Sequence, residues 1–111
     1  MTARQHLPNR RECETFNLQC AGLAYSATIS RFPDGRVAEV FLGNHKAGSQ
    51  SDTNARDAAV VCSIALQHGV ALDVIRHALL RNARGMPGSP LGVALDLIAG
   101  HREHRPGRGG N

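Results

Sequence analysis

The sequence predicts an α+β domain: a three-stranded antiparallel meander followed by three helices packed on one face of the sheet. Three observations carry this expectation. Apolar residues alternate with polar ones from Glu14 to Leu42, two short turn signals break that alternation, and beyond Ser49 the apolar spacing changes to three and four. Connections this short join neighbouring strands in opposite directions, so the sheet is antiparallel.

The first strand begins near Glu14, with Phe16, Leu18 and Cys20 alternating against Thr15, Asn17 and Gln19. Ala21-Gly22 can turn it. In the second strand Leu23, Tyr25, Ala27 and Ile29 share one face, and Ala24, Ser26, Thr28 and Ser30 share the other. Pro33-Asp34-Gly35 is the next turn: proline presets φ and glycine accepts the left-handed position. Arg36 to Leu42 follows as the third strand.

In the first helix Ala58, Val61, Cys62, Ala65 and Leu66 recur at helical spacing, and Val60 and Ile64 widen the stripe. Ser49-Gln50-Ser51-Asp52 places a capping hydroxyl before a carboxylate, and Gly69 is placed to end the helix. A second helix is expected over Ala71 to Arg81, with Leu72, Ile75, Ala78 and Leu79 inward. Ser89-Pro90 opens the third, whose stripe of Leu91, Ala94, Leu95 and Ile98 runs to Gly100.

A chain of 111 residues makes about one domain, and 4% aromatics without Trp leaves its core to Leu, Val, Ile and Ala. The formal charge of +4 suggests a polyanion partner until its location is considered. The domain, residues 13–100, holds seven basic and seven acidic residues. The excess lies in a flexible basic arm (1–12) and a flexible basic tail (101–111), at +2 each. Such ends would attract nucleic acid only in a salt-dependent way.

Cys13, Cys20 and Cys62 form no C-x-x-C pair, which fits a reduced, cytoplasmic setting better than a disulfide scaffold. With no signal-peptide pattern and no apolar run of spanning length, neither export nor membrane insertion is expected.

The segment Gly43 to Ser49, between the last strand and the first helix, concentrates the candidate site. Gly43 and Gly48 free the backbone, Lys46 brings a compact cation, and Ser49 stands at a helix N-terminus that favours anions. Arg56 and Asn54 lie in the first turns of that helix, and Arg31 and Arg36 could turn toward the same corner. The expected ligand-binding set is therefore Lys46, Gly48, Ser49, Asn54, Arg56, Arg31 and Arg36. It lacks the spacing and parallel setting of a P-loop. Arg76, His77, Arg81 and Arg84 form a second basic cluster, which a helix C-terminus explains without a ligand.

No complete catalytic set is legible. His45, Ser49 and Asp52 are close in sequence but lack a nucleophile elbow, and His101-x-x-His104 lacks a third metal ligand. No enzyme, metal or cofactor is expected. The two open sheet edges favour a homo-oligomer.

Four stretches resemble one family: Tyr25-Ser26-Ala27-Thr28-Ile29, Pro33 to Leu42 with its Glu39-Val40-Phe41-Leu42, Lys46-Ala47-Gly48-Ser49, and Ser63 to Val70. Together they are similar to the TSCPD domain, over about Thr15 to Ile98. That domain occurs at the C-terminal end of cobalamin-dependent ribonucleotide reductases and as short stand-alone proteins of bacteria and phages. The resemblance implies an accessory without the reductase's radical chemistry. The segment nearest the eponymous Thr-Ser-Cys-Pro-Asp, Gly88-Ser89-Pro90-Leu91-Gly92, has no cysteine, so no redox or metal role carries over. In layout alone, an antiparallel sheet before helices in an oligomer, the chain is similar to small phage proteins that sequester cyclic nucleotide signals.

These readings converge on a non-catalytic, homo-oligomeric module that binds or sequesters a nucleotide or other phosphorylated small molecule. The alternative is a protein-interaction accessory docking on a reductase-like complex through its sheet edge.

Overall fold

The structure is a computed structural model that describes residues 3–5, 7 and 12–108, with side chains to residue 100. Strand β1 (Cys13–Cys20) passes into β2 (Leu23–Arg31) through Ala21 and Gly22, at φ of 53° and 78°. Positive φ at both central residues gives a hairpin turn whose twist matches its strands. The second turn, into β3 (Val37–Asn44), closes by Gly35 N–H donating to Phe32 O at 2.9 Å, while the Asp34 carboxylate accepts from Arg36 N at 3.0 Å. The sheet is antiparallel in the order β1-β2-β3, and α1 (Gln50–Gln67), α2 (Leu72–Ala78) and α3 (Pro90–Arg108) follow it.

The strand period divides the sheet into two unlike faces. Leu18, Tyr25, Ala27, Ile29, Val40 and Leu42 meet Ala55, Ala59, Cys62 and Leu66 of α1 and Leu91, Ala94, Leu95 and Ile98 of α3 in one core. Burial raises the Cys62 thiol to about 11, so it stays protonated there. The opposite face carries the rows Thr15–Thr28–Phe41 and Asn17–Ser26–Gly43. Its hydroxyls bond across strands, Thr15 to Thr28 at 3.1 Å and Ser26 to Asn17 at 3.4 Å.

Helix α1 runs antiparallel to β3 and covers its free edge, where unpaired backbone groups would otherwise remain. The Ser63 hydroxyl accepts from Val40 N–H at 2.9 Å and donates to Val40 O at 3.0 Å. Gln67 Nε2 donates to Ala38 O at 3.0 Å, and Asp52 Oδ1 accepts from Asn44 N–H at 2.9 Å. One of the two edges expected to be open is therefore closed by the chain's own helix.

This covering also rotates α1 from the expected stripe. Ala55, Ala59, Cys62, Ser63, Leu66 and Gln67 are buried, whereas Val61, expected inward, is 67% exposed. Polar residues at 63 and 67 turn inward because the strand edge needs them. Helix α2 stops at Ala78, earlier than Arg81, and Ala78 is exposed. Arg81 instead pairs in a bridge with Pro87.

The α3 start is as expected, Ser89 Oγ accepting from Gly92 N at 3.1 Å. The stop expected at Gly100 does not occur: the helix continues to Arg108, across the first part of the expected tail, because Gly100 keeps a negative φ. Within the expected arm, Gln5 N–H donates to Gln67 O at 2.8 Å and Arg4 Nε bonds the Gln67 side chain. The remaining arm and tail positions, and the side chains beyond residue 100, lie outside the described residues.

Two of the basic residues grouped near α2 serve packing. Arg76 Nε and Arg81 Nη2 both hold Asp96 of α3, at 2.9 and 2.7 Å. Arg81, then Arg76, lowers the Asp96 carboxyl to about 2. Its stabilising contribution is full above the ordinary value of 3.8 and is lost as pH falls toward 2. Urea unfolding should therefore show an Asp96→Asn variant less stable than the parent at pH 7, with the difference closing between pH 4 and 2.

Candidate functional site

The corner after β3 is built by short-range bonds. Asn44 Oδ1 accepts from Lys46 N at 2.9 Å, and Lys46 O accepts from Ser49 N at 3.0 Å and Ser49 Oγ at 2.6 Å. Gly48 has φ of 82°, a left-handed position that only glycine takes without strain. Ser49 caps α1, its Oγ accepting from Asp52 N at 3.2 Å, and Ser51 Oγ accepts from Asn44 Nδ2 at 2.9 Å.

At the centre is Asp52, only 2% exposed. Its carboxylate accepts from Asn44 N at 2.9 Å, Gly48 N at 3.4 Å and Arg56 Nε at 2.9 Å. The Asn44 amide and then Arg56 hold its carboxyl below the ordinary carboxylate value. The amides expected to cradle a ligand anion thus already have one, supplied by the protein. Lys46, Gly48 and Ser49 are brought together as expected, with Gly48 and Ser49 holding the loop.

Arg56 leads out of this corner. Its Nε is fixed on Asp52, and its Nη2 lies over Gly43, a position of the outer sheet face: a Cβ at Gly43 would lie 2.9 Å from Nη2 and 3.3 Å from Cζ. Glycine is required there for close approach. Among the described residues neither Nη donates to a partner. Beneath the fork lies an open depression of about 290 Å³, lined by Ser26, Thr28, Phe41, Asn44, His45 and Arg56 around Gly43. His45 also borders a second hollow of about 500 Å³ that includes Asn17, Gln19 and Ala24 of the outer face.

Chemically, the depression offers a preset guanidinium fork for a phosphate, an aromatic face for a ring, and hydroxyls for a sugar or phosphate edge. Phe41, 49% exposed, supplies the aromatic face. Ser26, Thr28, Phe41 and His45 were absent from the expected set, although the alternation that puts Ser26 and Thr28 on one face was visible. Asn54 stands on exposed α1, its Oδ1 accepting from Gln50 Nε2 at 2.9 Å.

Arg31 and Arg36 do not converge on this site. They lie at the far end of the sheet, the length of β3 away, roughly 20 Å at strand rise. Arg31 pairs with Glu14 at 3.3 Å and Gly35 O at 2.9 Å; Arg36 pairs with Asp34 at 2.7 Å and stacks 4.7 Å over Phe32. Among the described residues no three His, Cys, Asp or Glu side chains gather as a metal site, and no helix is long and apolar enough to cross a membrane.

Comparison with known proteins places this α+β architecture in context. The chain is 34% identical over 70 residues to the vitamin B12-dependent ribonucleotide reductase of Agrobacterium fabrum, covering 63% of this chain and 6% of that protein. It is 32% identical over 73 residues to the enzyme of the same name from Bradyrhizobium diazoefficiens, covering 66% and 6%. With that of Rhodopirellula baltica it shares 35% identity over 72 residues, 65% and 7% of the two chains. No family model and no solved structure matches. The chain is thus related to a small region of B12-dependent ribonucleotide reductases, and the match spans only 6–7% of their length.

Proposed function

We propose that this chain is a non-catalytic accessory module, of the TSCPD kind, that binds a nucleotide or another phosphorylated small molecule on the outer face of its sheet and works as a homo-oligomer in the cytoplasm. Arg56 anchors the phosphate, Lys46 and His45 flank it, and Phe41 stacks on the base; Gly48 and Ser49 hold the loop. A cyclic nucleotide falls within this class.

One observation carries the reading. The Arg56 fork is held by a buried carboxylate through Nε, while among the described residues its terminal nitrogens have no hydrogen-bond partner and Nη2 lies against Gly43, beside a polar, aromatic-sided depression. A fork fixed before binding loses less freedom when the anion arrives. Similarity confined to so small a part of the reductases fits an accessory role.

A nucleotide panel should raise the melting temperature of the parent protein. Arg56→Ala and Gly43→Val should lose that rise, the latter because the new side chain displaces the guanidinium; Arg36→Ala should keep it. Melting temperatures unmoved by any nucleotide, or a Gly43→Val variant stabilised as fully as the parent, would reject the reading.

The sequence similarity favours a second reading, docking on a reductase-like complex. The mostly exposed strand β1, at the sheet border that α1 does not cover, would be the docking edge. Stoichiometric capture of a reductase subunit by both Arg56→Ala and Gly43→Val would support it over ligand binding.

A further inference from the structure

The outward row of β3 runs past the depression described above. Glu39, Phe41 and Gly43 stand in turn on the outer sheet face, opposite Ser30, Thr28 and Ser26, and His45 continues their spacing just beyond the strand. Phe41 and His45 are exposed rings, and between them Arg56 Nη2 lies over Gly43. At the strand rise each ring stands about 7 Å along the chain from that glycine. The order is ring, cation, ring.

The second ring has room of its own. The hollow of about 500 Å³ beside His45 lies over Ala24 of β2, and Asn17 and Gln19 of β1 line its other side. Ala24 is exposed and small, so the space above it stays open. A side-chain amide offers a donor and an acceptor together, the pattern that meets the edge of a base. His45 borders this hollow and the smaller one beside Arg56, which makes the two neighbours on one face.

We propose that the outer face takes a dinucleotide, two nucleosides joined by one phosphodiester. The phosphate meets Arg56, one base stacks on Phe41, and the other lies against His45 with its edge toward Asn17 and Gln19. The proposal rests on the nucleotide reading above and names the class of ligand. A mononucleotide brings one base for one phosphate and leaves the larger hollow unfilled. A longer strand meets an obstacle in the same row: Glu39, the next outward residue beyond Phe41, accepts from Ser30 Oγ at 2.7 Å, and its carboxylate would face the following phosphate. One phosphate between two bases is what the row matches.

Isothermal titration of the full chain tests it with three probes: adenylyl-adenosine, the methyl ester of AMP, and octaadenylate. The first two carry the same singly charged phosphodiester and differ by one nucleoside. Adenylyl-adenosine should bind about tenfold tighter than the ester, the order of gain from stacking a second base. Ala24→Leu, which fills the second hollow from an exposed strand position, should close that gap with an unchanged circular dichroism spectrum, and His45→Ala should narrow it. Octaadenylate should bind no tighter than adenylyl-adenosine. Equal affinity of the parent for adenylyl-adenosine and the ester, or a gap that survives Ala24→Leu, overturns the proposal and leaves the nucleotide reading standing. Octaadenylate binding tenfold tighter than adenylyl-adenosine overturns it in favour of a nucleic-acid strand. If neither adenylyl-adenosine nor the ester binds, both readings fall.

Discussion

Replacing Asp52 with Ala is expected to lower the melting temperature more than any other single change in the β3–α1 corner. One side chain satisfies Asn44 N–H, Gly48 N–H and Arg56 Nε, so its removal strands two amides and a guanidinium together. The pH dependence makes this prediction specific. The folded state holds the Asp52 carboxyl below its ordinary 3.8, so the stabilisation is full above that pH and is lost as pH falls below it. The gap between parent and Asp52→Ala should accordingly be widest near neutrality and narrow on acidification. A gap independent of pH would mean that only packing was lost. Asp52→Asn, which can keep the bond from Asn44 N–H, should fall between the two. Because the same carboxylate aims Arg56, both variants should also lose nucleotide-induced stabilisation.

Ser63→Ala is the second large effect, expected to cost about 2 kcal/mol in urea unfolding, since it leaves the buried N–H of Val40 without a partner. Ser63 is buried against β3, and its hydroxyl both accepts from and donates to Val40. A loss within a few tenths of a kcal/mol of zero, the usual result at a surface serine, would show that the edge finds other partners. The substitution lies three helical positions beyond Val60 and well past Arg56, so ligand stabilisation, as a difference, should survive it.

The sheet was legible because its residues obey local rules. Period-two alternation placed Tyr25, Ala27 and Ile29 inward, Gly35 took its left-handed turn position, and Ser89 capped α3. The helix stripe was less legible for a physical reason. Apolar spacing alone put Val61 inside, but a helix lying along a strand edge must turn hydrogen-bonding residues inward as well, and Ser63 and Gln67 do so. Hydrophobicity is blind to that demand.

The corner shows the same limit. Its loop, its cap and its cations were visible, and so was a carboxylate three residues after Ser49. The sequence did not reveal that this carboxylate folds back onto the amides and occupies the anion position itself. Nor could it show that Arg56 would cross the edge over Gly43, since that depends on how helix and strand sit together. Arg31 and Arg36 illustrate the converse. Residues that looked available from the sequence are bound to Glu14 and Asp34 at the other end of the strand.

The most direct measurement is an NMR titration of the ¹⁵N-labelled protein with a nucleotide, following backbone amides and the Arg56 Nε–H. Binding under the Arg56 fork predicts saturable shifts confined to Ser26, Thr28, Phe41, Gly43, His45 and the Arg56 side chain. Shifts clustered instead around Arg36 and Leu72, where a separate hollow of about 250 Å³ lies, or no saturable shift at all, would contradict it.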